Sequence, residues 1–257
     1  MFQICRFIAS RQESDFLFAC WGIIIYNITR MTQRKILFLI IFIVLGLIAF
    51  QIPISKIVGS NQNFSLFEFI GPLGGMFLGP LFGALSAFFV RGANVIITHQ
   101  SLDLLTVIRF LPMMLAAVYF GMRGRKMAII FPLCIILFLA HPIGQKAWLY
   151  PCIWLIPLAA TFYKKRLILN SLGATFTAHA VGSTIFLYAF GLTTQIWLAL
   201  IPVVFIERGI FTLGIWASYL VINTALDKLT KIEKFDILKS LVNKNYLISP
   251  KFFKSYA

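Results

Sequence analysis

The chain has 257 residues, of which 60% are hydrophobic and 12% charged, about half the charged fraction of roughly 25% found in a soluble domain. Too few polar residues are present to clothe a water-soluble core, so the surplus apolar surface must face lipid. The formal charge of +15 does not point to nucleic acid, because the basic residues cluster in short connectors between apolar runs, the positive-inside pattern of membrane proteins.

A spanning helix needs about 20 mostly apolar residues, and the chain can be measured on that ruler. Residues 1–30 hold one short apolar run, Phe16 to Ile28, and Met31-Thr32-Gln33-Arg34-Lys35 reads as a natural start. This N-terminal extension is either upstream of the true start or an interfacial helix. A transmembrane helical domain is expected over 31–226, beginning with a span from Ile36 to Ile54. Leu66 to Thr98 is too long for one helix; Gly79-Pro80 ends one and opens another, giving 66–79 and 80–98. Leu104 to Gly121 is a span interrupted by Arg109. Met127 to Tyr163 is a hairpin turning at His141-Pro142-Ile143-Gly144. Leu167 to Phe190 and Ile196 to Leu226 complete an all-α fold, a polytopic transmembrane helical bundle of about six to eight membrane segments.

In that path the clusters Arg123-Gly124-Arg125-Lys126 and Lys164-Lys165-Arg166 and the tail 227–257 fall on one face, which predicts a multi-pass cell-membrane protein with cytoplasmic N- and C-termini. The tail carries Lys228, Lys231, Lys234 and Lys239 among apolar residues and is expected on the anionic inner leaflet. Cys5, Cys20, Cys134 and Cys152 have neither disulfide nor metal spacing.

Gly71, Gly75, Gly79, Gly83 and Ala87 recur every four residues. On a helix this makes a stripe without bulk, suited either to close packing inside the bundle or to docking a partner protein. The surrounding segment, Phe64-Ser65-Leu66-Phe67-Glu68-Phe69-Ile70-Gly71-Pro72 running into Gly79-Pro80-Leu81-Phe82-Gly83-Ala84, follows an apolar helix and a polar loop, Ser55 to Ser65. It resembles the substrate-binding membrane subunits (S components) of energy-coupling factor (ECF) vitamin transporters, whose last helix Ile201-Pro202-Val203-Val204-Phe205-Ile206-Glu207-Arg208 also resembles. The resemblance implies a small subunit that captures a vitamin-like small molecule at the outer face. It also implies partners, a transmembrane coupling subunit and ATPase subunits, with the stripe as the docking surface. The chain has no Gly-x-x-x-x-Gly-Lys-Ser/Thr phosphate loop, so ATP hydrolysis is expected elsewhere. No enzymatic activity, cofactor or metal is expected of this chain.

Charges inside spans each cost several kcal/mol unless paired or hydrated, which singles out Glu68, Arg91, Arg109, His179, Glu207 and Arg208. In this topology Glu68, Asn94, His99, Asp103 and Arg109 share the outer half, and Glu68, Asn94, His99 and Arg109 are the candidate substrate-binding residues. Arg109 either clamps a substrate carboxylate or phosphate or pairs with Glu68 or Asp103. Glu207 and Arg208 point about 100° apart and are expected to find different partners. His99, His141 and His179 are isolated, without metal-ligand spacing. His179 and Ser183 share a helix face as a nucleophile and base would, without an evident oxyanion site. Trp148, Tyr150, Trp154, Tyr188 and Trp197 read as anchors at the membrane interfaces, with Trp148 and Trp197 alternatively stacking on a flat ligand. A proton-coupled secondary transporter using Glu68, His179 or Glu207 is the rival reading, and an intramembrane enzyme the third.

Overall fold

The computed structural model describes residues 33–56, 63–122, 125–163, 166–232 and 238–248. The chain divides into two compact units, 1–40 and 41–257. Of the first, residues 33–40 are described: they are the opening turns of helix α1 (Gln33–Phe50), with Leu37 and Ile40 exposed. The expected extension, 1–30, lies outside the described residues, as do Arg123-Gly124 and Lys164-Lys165 of the basic clusters.

In the second unit, prolines decide where the helices stop. Helix α1 ends at Phe50, not at 54, and Pro53 opens an extended strand β1 (Pro53–Lys56) that pairs antiparallel with β2 (Asn63–Ser65). The all-α expectation thus gains one small two-stranded sheet. The predicted helix 66–79 is two short ones, α2 (Phe67–Ile70) and α3 (Leu73–Leu78), because Pro72 has no N–H to offer the Glu68 carbonyl. The predicted break at Gly79-Pro80 is present. Gly79 takes φ +92, open to glycine without penalty, and Pro80 opens α4 (Pro80–Ile97). Pro112 likewise divides α5 (Leu104–Ile108) from α6 (Leu111–Gly121). Asp103 caps α5, its Oδ1 accepting from the Thr106 N–H at 2.7 Å.

After a 3-10 turn (Arg125–Ile129), α7 (Ile130–Ala140) ends at His141, as the turn motif predicts. The returning limb is not one helix. It is α8 (Pro142–Lys146), α9 (Leu149–Cys152), α10 (Leu155–Ala160) and a 3-10 turn (Thr161–Tyr163). Pro151 and Pro157 have no N–H for the Ala147 and Ile153 carbonyls, which accept instead from the Tyr150 and Ile156 N–H groups at 2.9 and 3.3 Å, at the two interruptions. Helix α11 (Leu167–Ala189) and the 36-residue α12 (Thr194–Leu229), with Pro202 inside it, are continuous.

Helix α11 packs against α6, α7, α10 and α12 and carries buried polar groups that close onto backbone. Ser171, Thr177 and Thr184 donate to carbonyls one turn back at 3.1, 2.7 and 2.8 Å, and Asn170 donates to the Phe120 carbonyl at 3.0 Å. The outside is the opposite: Ile96, Ile97, Leu133, Ile136, Ile206, Ile210, Leu213 and Val221 are exposed. Three helical stretches, α4, Leu104–Gly121 and α12, are long and apolar enough to cross a membrane. Polar groups inside and aliphatic side chains outside are the arrangement of a membrane protein.

The small-residue stripe is consumed within the bundle. The turn at Gly79 folds α3 back on α4, so residues on its two sides face each other and do not share one surface. Gly75 abuts the α6 backbone at Ala117 and Gly121, Gly83 abuts Gly74 and Gly75, and Gly71 lies under Met113. Ala87 is buried with Phe67, Val90, Met113 and Ala116. A Cβ added at Gly79 would meet nothing within 4 Å, and the residue serves the turn. Of the two uses expected of the stripe, packing inside the bundle is the one these contacts describe for Gly71, Gly75, Gly83 and Ala87.

The described part of the tail, 238–248, is fastened to α12. Buried Asn223 donates to the Asn243 and Tyr246 carbonyls at 2.9 and 2.8 Å and accepts from the Asn243 N–H at 2.9 Å. Thr224 accepts from the Ile248 N–H at 3.0 Å.

A candidate binding cavity

Residues from α2, α4, α5–α6, α11, α12, the β2 strand and the end of α1 enclose a cavity of about 470 Å³, within the range of about 300–1,000 Å³ typical of small-molecule sites. Three of the four predicted substrate-binding residues line it: Glu68, Asn94 and Arg109. The fourth does not. His99 is exposed in the turn after α4, with φ 51, and lies outside the cavity wall.

Glu68 pairs with Arg91, not with Arg109, at 3.3 Å, and the Arg91 guanidinium lies over Phe50. Residues 68 and 91 sit on α2 and α4, whose facing depends on the Gly79 turn, so spacing alone could not match them. Asn94 accepts from the Gln51 side chain at 3.0 Å. Arg109 has no carboxylate within ion-pair distance among the described residues. Its guanidinium rests on Phe186 and Phe190, 5.7 and 5.2 Å from the ring centres. Phe186 comes from the last turn of α11 and Phe190 from the residue just past its end, their ring centres 4.7 Å apart.

Glu207 and Arg208 were expected to seek separate partners and instead pair with each other at 3.3 Å, because long side chains can bridge the angle between neighbouring Cβ atoms. Arg208 is 2% exposed. It also donates to Thr175 Oγ1 at 3.3 Å and lies over Phe64 and Phe211.

One wall of the cavity ends in an aromatic cluster. Phe138 stacks on Tyr150 and meets Trp154 and Trp197 edge-on. Trp154 donates to His179 Nδ1 at 3.1 Å, and the Tyr150 hydroxyl lies 3.0 Å from His179 Nε2. Tyr150, Trp154 and Trp197 are therefore core residues and not interface anchors. Trp148 and Tyr188 remain exposed, and only Trp197 of the two proposed stacking tryptophans reaches the cavity. Arg91, Gln51, Phe64 and Tyr150 are cavity residues absent from the predicted set. A charge in an apolar run was the available signal for Arg91, and the other three carried none.

An indole N–H only donates, so the His179 Nδ1 facing it holds no proton, and the neutral ring keeps its proton on Nε2. Ser183 Oγ, 3.3 Å from Nε2, thus faces an N–H and not a base. That geometry does not activate a serine nucleophile. No group of three His, Cys, Asp or Glu side chains suited to a metal occurs among the described residues. No family model matches the chain, nor does any curated protein or solved structure, and its functional reading is carried by the cavity's own chemistry and the sequence motifs.

Proposed function

We propose that the protein is the substrate-binding subunit of a membrane transporter, capturing a vitamin-like small molecule from the outer side for uptake powered by partner ATPases. In this reading about six to eight segments cross the membrane, with both termini cytoplasmic. The observation that carries it is the cavity. Charged side chains are costly within an apolar envelope, yet Glu68, Arg91, Arg109, Glu207 and Arg208 all gather around one void of ligand size. The motif resemblance to ECF S components supports an external energy source, as does the missing phosphate loop.

Native mass spectrometry of the gently purified protein tests this. The expected result is a copurified small molecule together with a coupling subunit and ATPases. A lone, ligand-free protein that still takes up solute without ATP refutes it.

A second reading, the proton-coupled secondary transporter, is favoured by two carboxylates, Glu68 and Glu207, each paired with an arginine on the same cavity. Such pairs can exchange a proton for substrate. Uptake into proteoliposomes driven by a pH gradient alone selects it over the first. The neutral, donor-bound His179 speaks against an intramembrane serine hydrolase.

A further inference from the structure

The cavity wall has an excess of donors. Four buried side-chain atoms of the residues that line it lack a hydrogen-bond partner among the described residues: Arg91 Nε, Arg109 Nε, Trp197 Nε1 and Arg208 Nε. All four are N–H groups, and none can accept. No buried acceptor side-chain atom on the same wall is left unmet. Unpaired buried donors are rare because they lose water without replacement, and these four belong to residues gathered around one void.

The charges agree. Three guanidiniums and two carboxylates line the cavity, with no lysine or aspartate. Glu68 answers Arg91 and Glu207 answers Arg208, while His179 is neutral by its contact with Trp154. One positive charge, on Arg109, is answered by no carboxylate on the wall; Asp103, off the wall and beyond ion-pair distance, acts on it only through space. Phe186 and Phe190 support its guanidinium through ring contacts and offer no acceptor of comparable strength to its N–H fork.

We propose that the cavity takes an organic monoanion, a carboxylate or phosphodiester, whose oxyanion is received by Arg109. This rests on the transport reading, whose substrate class it names. A guanidinium fork matches either oxyanion in bidentate fashion. The oxyanion can belong to a soluble acid or to a lipid headgroup.

The test uses the full-length protein. A water-soluble yeast extract is separated by ion exchange into anionic, neutral and cationic fractions, and each is scored by the shift it produces in the melting temperature of wild type, Arg109→Gln and Arg109→Lys in detergent. Nanodiscs of phosphatidylglycerol and of phosphatidylcholine score the lipid source. The expected result is stabilisation by the anionic fraction, weakened at least about tenfold in concentration dependence by Arg109→Gln and partly restored by Arg109→Lys. Stabilisation by phosphatidylglycerol alone supports the same chemistry and assigns the oxyanion to a headgroup. A neutral or cationic fraction that stabilises the protein overturns the inference and leaves the transport reading standing. No response to any fraction or lipid overturns both. Arg109→Gln binding like wild type removes Arg109 from the role. If that variant does not fold, Arg109→Lys decides: weakened binding supports the assignment and unchanged binding refutes it.

Discussion

Replacing Gly75 with alanine forces two backbones apart. The added methyl falls on the Ala117 carbonyl and against the Gly121 amide, and backbone, unlike the tip of a side chain, cannot rotate away. Overpacking a close-packed interior costs about 1–3 kcal/mol, and an obstacle of this kind places Gly75→Ala near about 3 kcal/mol, the top of that range. Gly209 provides the control. It is exposed on α12 with nothing within 4 Å of a would-be Cβ, so Gly209→Ala gains about 0.5–1 kcal/mol from restricting the unfolded chain and favouring helix. Gly79→Ala separates conformation from space, since nothing lies within 4 Å there either, yet φ 92 and ψ 163 suit only glycine and cost another residue about 1–3 kcal/mol. Equilibrium unfolding in mixed micelles, with SDS as denaturant, ranks the three variants. Gly75→Ala within about 0.5 kcal/mol of wild type, a small fraction of the overpacking cost, or less stable ranking for Gly209→Ala than for Gly75→Ala, refutes the packing account.

Trp154→Phe keeps a ring in the aromatic cluster but leaves His179 Nδ1 without its donor, and a loss of about 1–3 kcal/mol is expected for an orphaned buried acceptor, read by the same unfolding titration. Asn223→Ala removes three hydrogen bonds to the tail; at about 1 kcal/mol each this releases 238–248, and limited proteolysis should cut there at least about tenfold faster. Hydrogen bonds from Thr106, the side-chain one foremost, hold the Asp103 carboxyl below its ordinary value of 3.8. A depressed folded pKa contributes stability that is present above the unfolded value and lost as pH falls through the folded one. The stability gap between wild type and Asp103→Ala should therefore be full at neutral pH and close below 3.8, as followed by melting temperature across pH.

What could be read from the chain alone follows a physical line. Gly79-Pro80 and His141-Pro142 act through φ and a missing N–H, which are local, and both breaks stand where the residues put them. Pro72, Pro151 and Pro157 act the same way; the apolar run around each invited reading a longer helix than the backbone hydrogen bonds allow. Glu68, Asn94 and Arg109 were recognisable as polar residues in apolar surroundings. Their partners were not, because Arg91 meets Glu68 only after α3 and α4 fold together, and Phe186 and Phe190 reach Arg109 from a helix more than seventy residues downstream. Trp154 and Trp197 were misread for a related reason: an amphipathic ring suits an interface or a core containing a polar partner, and composition does not distinguish them.

Helix α12 is about 54 Å long at about 1.5 Å per residue, against a hydrocarbon slab of about 30 Å. Cavity residues Trp197, Glu207 and Arg208 occupy its first half, whereas Asn223 and Thr224, which grip the tail, are near its other end. It is thus a lever arm. Tilted as a rigid rod by about 10° about its midpoint, it would move each end by about 5 Å on this rise per residue, and the tail, tied to one end, would move with it.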